Sequence, residues 1–97
     1  MSYRFHPGAE HEHLEIVGFY ESIQTGLGAA YLAEFENLMT RVVGMPKIYR
    51  INRGSNIRVV SLFKFPYRII FRENSDGLQV LAVSHKKRRP DYWLGRL

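Results

Sequence analysis

Apolar residues recur along this chain in two rhythms, a spacing of three and four in the first half and alternation or short runs in the second. Tyr3-Arg4-Phe5-His6 alternates and predicts a short strand, closed by the turn signal Pro7-Gly8. From Ala9 the period changes. Ile16, Phe19, Tyr20 and Ile23 recur at i, i+3, i+4 and i+7, with Leu14 and Val17 widening the stripe of a predicted helix. That helix ends near Gly26, and Gly26-Leu27-Gly28 reads as a short breaker. A second helical stripe follows in Tyr31, Leu32, Phe35, Leu38, Met39 and Val42, stopped by Gly44 and Pro46. Two amphipathic helices with so short a joint should pack as an antiparallel hairpin.

Residues 45–56 hold Pro46, Gly54, Ser55 and two Asn without a clear period, and read as a loop or an irregular strand. Three β-like runs come next: Arg58 to Phe63, Tyr67 to Arg72 after the Phe65-Pro66 break, and Leu78 to His85. The last follows Asn74-Ser75-Asp76-Gly77, whose Asp-Gly is a hairpin signal. Val80, Leu81, Ala82 and Val83 leave it no polar face, which predicts a central strand covered on both sides. The order β-α-α-β-β-β predicts an α+β fold, the helical hairpin packed on one face of a mainly antiparallel sheet. At 97 residues the expectation is a single domain spanning 1–97.

Charge adds a second division. Residues 1–40 carry one basic residue against six acidic ones, a net of −5, whereas residues 41–97 carry thirteen against three, a net of +10. A basic surface on one part of a small domain fits nucleic acid, an acidic protein, or both in turn. The chain has no cysteine, so it has no disulfide, thiolate metal site or cysteine nucleophile. Without a long apolar run or a signal-peptide hydrophobic region, a cytoplasmic protein with no membrane segment is expected.

The most conspicuous chemistry is Lys86-Lys87-Arg88-Arg89 after the last strand, with Tyr92 and Trp93 just beyond. Four adjacent cations cannot all point inward, and basic side chains beside aromatics suit a phosphate backbone and stacked bases. Trp93 either stacks in this way or closes the core edge. Arg68 and Arg72 share a strand face with Ile70, while Tyr67, Ile69 and Phe71 face the other way. Arg68 either joins the basic cluster in one anion site or pairs with Glu73 or Asp76. His85, beside several cations, is a candidate base, since its neighbours disfavour the protonated ring; a structural histidine at a strand end is the alternative. His11 and His13, two apart on a helix, face different directions and cannot chelate a metal together, so no metal is expected; Gly26-Leu27-Gly28 joins two helices and lacks the rest of a phosphate-binding loop, so no cofactor is expected either.

These pieces resemble a known family. Phe65-Pro66-Tyr67-Arg68-Ile69-Ile70-Phe71 is similar to a strand motif of RelE/ParE-type toxins. The run from Leu81 through Ser84-His85-Lys86-Lys87-Arg88-Arg89-Pro90 to Trp93 is similar to the ending of the plasmid-stabilisation, ParE-like branch. The helical hairpin fits as well, with Phe19-Tyr20-Glu21, Gly26-Leu27-Gly28, Phe35 and Met45-Pro46 in the right order. The resemblance implies the toxin of a type II toxin–antitoxin system, neutralised by an acidic antitoxin encoded beside it. A homodimer or a heterotetramer with the antitoxin fits the same resemblance.

The family's targets are DNA gyrase in the ParE branch and the ribosome with its mRNA in the RelE branch. For a nuclease the resemblance would give catalytic roles to Arg68, His85, Lys86 and Tyr92. For either target it would give contacts to Arg58, Arg68, Arg72, Lys86, Lys87, Arg88, Arg89 and Trp93. The nuclease branch carries two lysines on the strand before Tyr67-Arg68, where this chain has Val59 and Ser61. The ParE-like, gyrase-inhibiting reading is therefore favoured over the endonuclease.

Overall fold

In the computed structural model, which describes residues 2–54 and 56–97, the chain forms one five-stranded sheet with a helical hairpin on one face. Met1 and Ser55, the latter part of the 45–56 stretch read as irregular, lie outside the described residues. The elements are β1 (Tyr3–Phe5), α1 (Pro7–Ile23), α2 (Leu27–Gly44), a 3-10 turn (Pro46–Ile48), β2 (Arg50–Arg53), β3 (Ile57–Ser61), β4 (Tyr67–Asn74), β5 (Gly77–His85) and a second 3-10 turn (Leu94–Arg96). The sheet order is β1-β5-β4-β3-β2, with only the β1–β5 pair parallel. The α+β expectation holds, with one strand more than β-α-α-β-β-β. The open question over residues 45–56 resolves as the edge strand β2, whose pairing with β3 slips between Ile51 and Arg53.

Pro7-Gly8 is the start of a helix rather than a turn. Proline lacks the N–H that a first helical turn leaves unpaired, and His6 caps the end through Nδ1, which accepts from the Gly8 N–H at 3.0 Å. The buried face of α1 is also rotated from the expected stripe. Ala9, His13 and Ile16 point inward, while Leu14, Phe19 and Ile23 are 62%, 55% and 58% exposed. His13 takes a core position because its ring stacks on Phe5, and its Nδ1 lies 3.0 Å from the buried Tyr31 hydroxyl. Burial lowers the pKa of His13 and raises that of Tyr31.

The hairpin joint is tighter than a breaker. Gly26 is left-handed at φ 91°, and Leu27 already opens α2. Glu21 of α1 supplies the cap, accepting from the N–H groups of Gly26 at 2.9 Å and Gly28 at 3.1 Å. Gly28 lets the helices touch, since a Cβ there would sit 2.6 Å from the Val17 carbonyl oxygen.

Two cores result. Between helices and sheet lie Tyr31, Phe35, Leu38, Met39 and Val42 of α2 against Ile69, Phe71, Leu78, Val80 and Val83. On the other face Ile57, Val59, Ile70, Leu81 and Ala82 are covered by Trp93. β5 serves both cores through a bulge, Ile70 facing Ala82 while Phe71 faces Val80, so that Leu81 is the extra residue. This is why the Val80–Val83 run has no polar face. Among the described residues no helix is long and apolar enough to cross a membrane.

Candidate interaction surface

The sheet face opposite the hairpin gathers cations from β2 and β4. Residues paired across a ladder share a face. Arg68 stands between Ser61 and Ser84, and Arg72, two residues on, donates through Nε to Gln79 Oε1 at 3.1 Å. Arg50 lies opposite Val59 and Arg53 opposite Ile57, both second-core residues, so these two arginines share that face. Arg53 pairs with Asp91 at 2.9 Å. Neither acid proposed for Arg68 reaches it, because Asp76 pairs with Arg4 at 3.2 Å and Glu73 with Lys47 at 3.9 Å. Among the described residues no carboxylate stands within ion-pair distance of Arg50, Arg68, Arg72, Lys86, Lys87 or Arg89.

Arg58 does not belong to this group. It lies opposite Phe71 on the hairpin side, where its guanidinium donates to the carbonyls of Lys47 at 3.3 Å and Tyr49 at 2.8 Å. Trp93 is 2% exposed and closes the second core, so its ring packs rather than offering a stacking platform.

The turn after β5 is fixed by its own backbone. Lys86 N–H donates to Pro66 O at 2.9 Å, Arg88 N–H to His85 O at 3.0 Å, and Lys87 N–H to His85 Nδ1 at 3.0 Å. His85 lies opposite Tyr67, ring edge to face at 5.1 Å, and lines a small cleft with Ile16 and Phe19 of α1. It is therefore on the hairpin side, away from Arg68, and the two do not form one anion site. Tyr92 donates to Glu12 Oε2 at 2.6 Å, and burial together with that carboxylate pushes its pKa up to about 12. Arg88 stacks 3.7 Å from the Tyr92 ring centroid, leaving Lys86, Lys87 and Arg89 as the outward cations of the cluster.

The residue that organises this end of the molecule is one the sequence did not single out. Glu12, with only 11% of its side chain exposed, accepts from Val83 N–H at 3.0 Å and Tyr92 at 2.6 Å. It also takes both terminal nitrogens of Arg96 at 3.0 Å, and Arg88 lies at 3.5 Å. Burial raises the pKa of this carboxyl, but the hydrogen bonds of Arg96, Tyr92 and Val83 outweigh it and the net direction is down. Nothing local in a helix with Glu10, Glu12 and Glu15 marks Glu12; its partners lie more than seventy positions away.

A separate apolar groove of about 890 Å³ runs between Leu27, Ala30, Ala33 and Asn37 of α2 and the loop Phe63–Phe65. Glu34 anchors that loop by accepting from the N–H groups of Phe63 and Lys64. Phe63 itself projects, 92% exposed.

A solved chain from the "Chromosomal ParDE TA system from P. aeruginosa" superposes with a TM-score of 0.75 at 16% identity, covering 88% of this chain and 95% of its own, a likeness of fold. No curated protein matches the sequence closely enough to count as a relative. The family described as ParE toxin of type II toxin-antitoxin system, parDE, matches residues 3–90, and the chain belongs to that family.

Proposed function

We propose that this chain is a cytoplasmic ParE-like toxin, silenced by an acidic antitoxin encoded beside it, that poisons DNA gyrase through its cationic sheet face. The observation that supports this most is the set of arginines and lysines without an acidic partner among the described residues, Arg50, Arg68 and Arg72 on one sheet face and Lys86, Lys87 and Arg89 in the exposed turn after β5. Cations left unneutralised attract an acidic protein and raise its association rate. The antitoxin and the target compete for this same charge. The apolar groove beside Phe63 offers the antitoxin a second, uncharged foothold. The solved relative of similar fold comes from a toxin–antitoxin system as well.

The endonuclease alternative is disfavoured by the geometry of its own candidates. Arg68 and His85 are on opposite faces, and Tyr92 is a hydrogen-bond donor engaged by Glu12. Expression with and without the adjacent antitoxin gene tests both readings. The proposal expects growth arrest relieved by the antitoxin, DNA breaks that depend on gyrase, and intact ribosome-bound mRNA. Cleaved transcripts with intact DNA would reverse the order of the two readings.

A further inference from the structure

β1 stops at Phe5, opposite Val80, so among the described residues the outer edge of β5 beyond that point has no neighbouring strand. Two of its backbone polar groups are nevertheless filled by side chains. The Glu12 carboxylate accepts from Val83 N–H at 3.0 Å, and the Arg96 guanidinium donates to Leu81 O at 2.9 Å. These two side chains are bonded to each other at 3.0 Å through both arms of the guanidinium. A bidentate, mostly buried pair of this kind is directional and strong. The same carboxylate holds Tyr92, and Arg88 and Arg96 both lie over the Tyr92 ring, 3.7 and 5.3 Å from its centroid. Space for the guanidinium is left by Gly8, where a Cβ would come within 2.7 Å of Arg96 Cζ.

One helix carboxylate thus grips three side chains of the segment that follows β5, Arg88, Tyr92 and Arg96. Apart from Trp93, residues 86–97 are exposed or half-buried, and the segment contains one 3-10 turn of three residues. A segment with so little regular structure is ordered by what its side chains grip. We propose that Glu12 is the positioning residue of this C-terminal segment: it locks residues 86–97 onto the β5 edge, and Lys86, Lys87 and Arg89 engage the target only from the locked arrangement. The second half of this statement rests on the cationic-surface reading above. The first half does not.

Trypsin reads the lock through Arg88, whose side chain, held over Tyr92 and beside Glu12, must come free before it can enter the protease cleft. Glu12→Gln keeps an acceptor for Val83 but removes the charge that holds Arg96. The folded variant is expected to be cut there at least about tenfold faster than the parent, a buried ion pair having lost one partner. That rate should be the same with and without about 1 M urea, the mark of local rather than global opening. Growth inhibition should fall in parallel. An unchanged cleavage rate, a rate that climbs with urea as global unfolding does, or full growth inhibition despite faster cleavage would each overturn the proposal. Should Glu12→Gln fail to fold, Arg96→Gln carries the same readouts, since its amide can still donate to Leu81 O. If Lys86→Ala, Lys87→Ala and Arg89→Ala together leave growth inhibition intact, the cationic-surface reading fails on its own, whatever the cleavage assay shows for Glu12.

Discussion

Arg68 and His85 occupy adjacent rungs of the β4–β5 ladder and face opposite sides of the sheet, Arg68 across from Ser84 and His85 across from Tyr67. A phosphate or carboxylate held by one is therefore out of reach of the other. Arg68→Ala should weaken growth inhibition with little change in folding, because the residue pairs with no acid among those described. His85→Ala should keep the inhibition and cost about 1 kcal/mol of stability, the worth of the hydrogen bond from Lys87. Growth curves and urea melts of the two variants check this pair. Loss of inhibition in a folded His85→Ala protein would contradict the assignment of faces.

Trp93 is the only tryptophan of the chain and is 2% exposed over Ile57, Val59, Ile70, Leu81 and Ala82. Its fluorescence should be blue-shifted and poorly quenched by iodide in the folded protein, and should move to the red on unfolding. Removing so large a side chain leaves a cavity, so Trp93→Ala is expected to cost about 3–5 kcal/mol. A solvent-like emission from folded protein would show the ring free to stack on a ligand instead.

How far the sequence foretold this depends on how local each cause is. The helices and β3 to β5 were legible because each buries a face whose period shows in ten or so residues. β2 stayed open between a loop and an irregular strand, because all four of its residues are exposed and its register slips, leaving no alternation to read. Arg50 and Arg53 were missed with it. The face of α1 was misplaced because a histidine, His13, occupies a core position that its polarity hides, while Phe19 and Ile23 remain outside. Glu12 could not be found at all, since its meaning lies in Val83, Tyr92 and Arg96, which only folding brings near.

The hairpin crossing makes a sharper test of packing than any apolar truncation. At Gly28 an added methyl would meet the backbone carbonyl of Val17 at 2.6 Å, and a backbone atom cannot swing aside as a side chain can. Alanine is otherwise the better helix former, by about 1 kcal/mol. Gly28→Ala should nevertheless destabilise the protein by about 1–3 kcal/mol, as overpacking does. The same substitution at Gly18, where nothing lies within 4 Å, should stabilise it. Thermal melts of the two variants should therefore move in opposite directions.

Acid should weaken the fold in two separable steps. His13 is boxed by Phe5, Tyr31 and Phe35, and burial lowers its pKa despite the opposing pull of Glu36 and Glu10. The unfolded chain takes up this proton near pH 6.5, before the folded one does, so stability falls as the pH drops below about 6.5. Glu12 has its pKa lowered by Arg96, Tyr92 and Val83 against the effect of burial. Its contribution is fully present above the ordinary carboxylate pKa and is lost as the pH falls from about 4.5 through the folded value. Each loss is limited to about 1.4 kcal/mol per pH unit, the slope of one proton. Urea melts between pH 8 and 3 should show His13→Leu flattening the upper step, though less stable throughout because Tyr31 loses its partner. Glu12→Gln should flatten only the lower step. A wild-type curve that stays level between pH 6.5 and 5 would mean that His13 protonates in place, and that the aromatic box tolerates its charge.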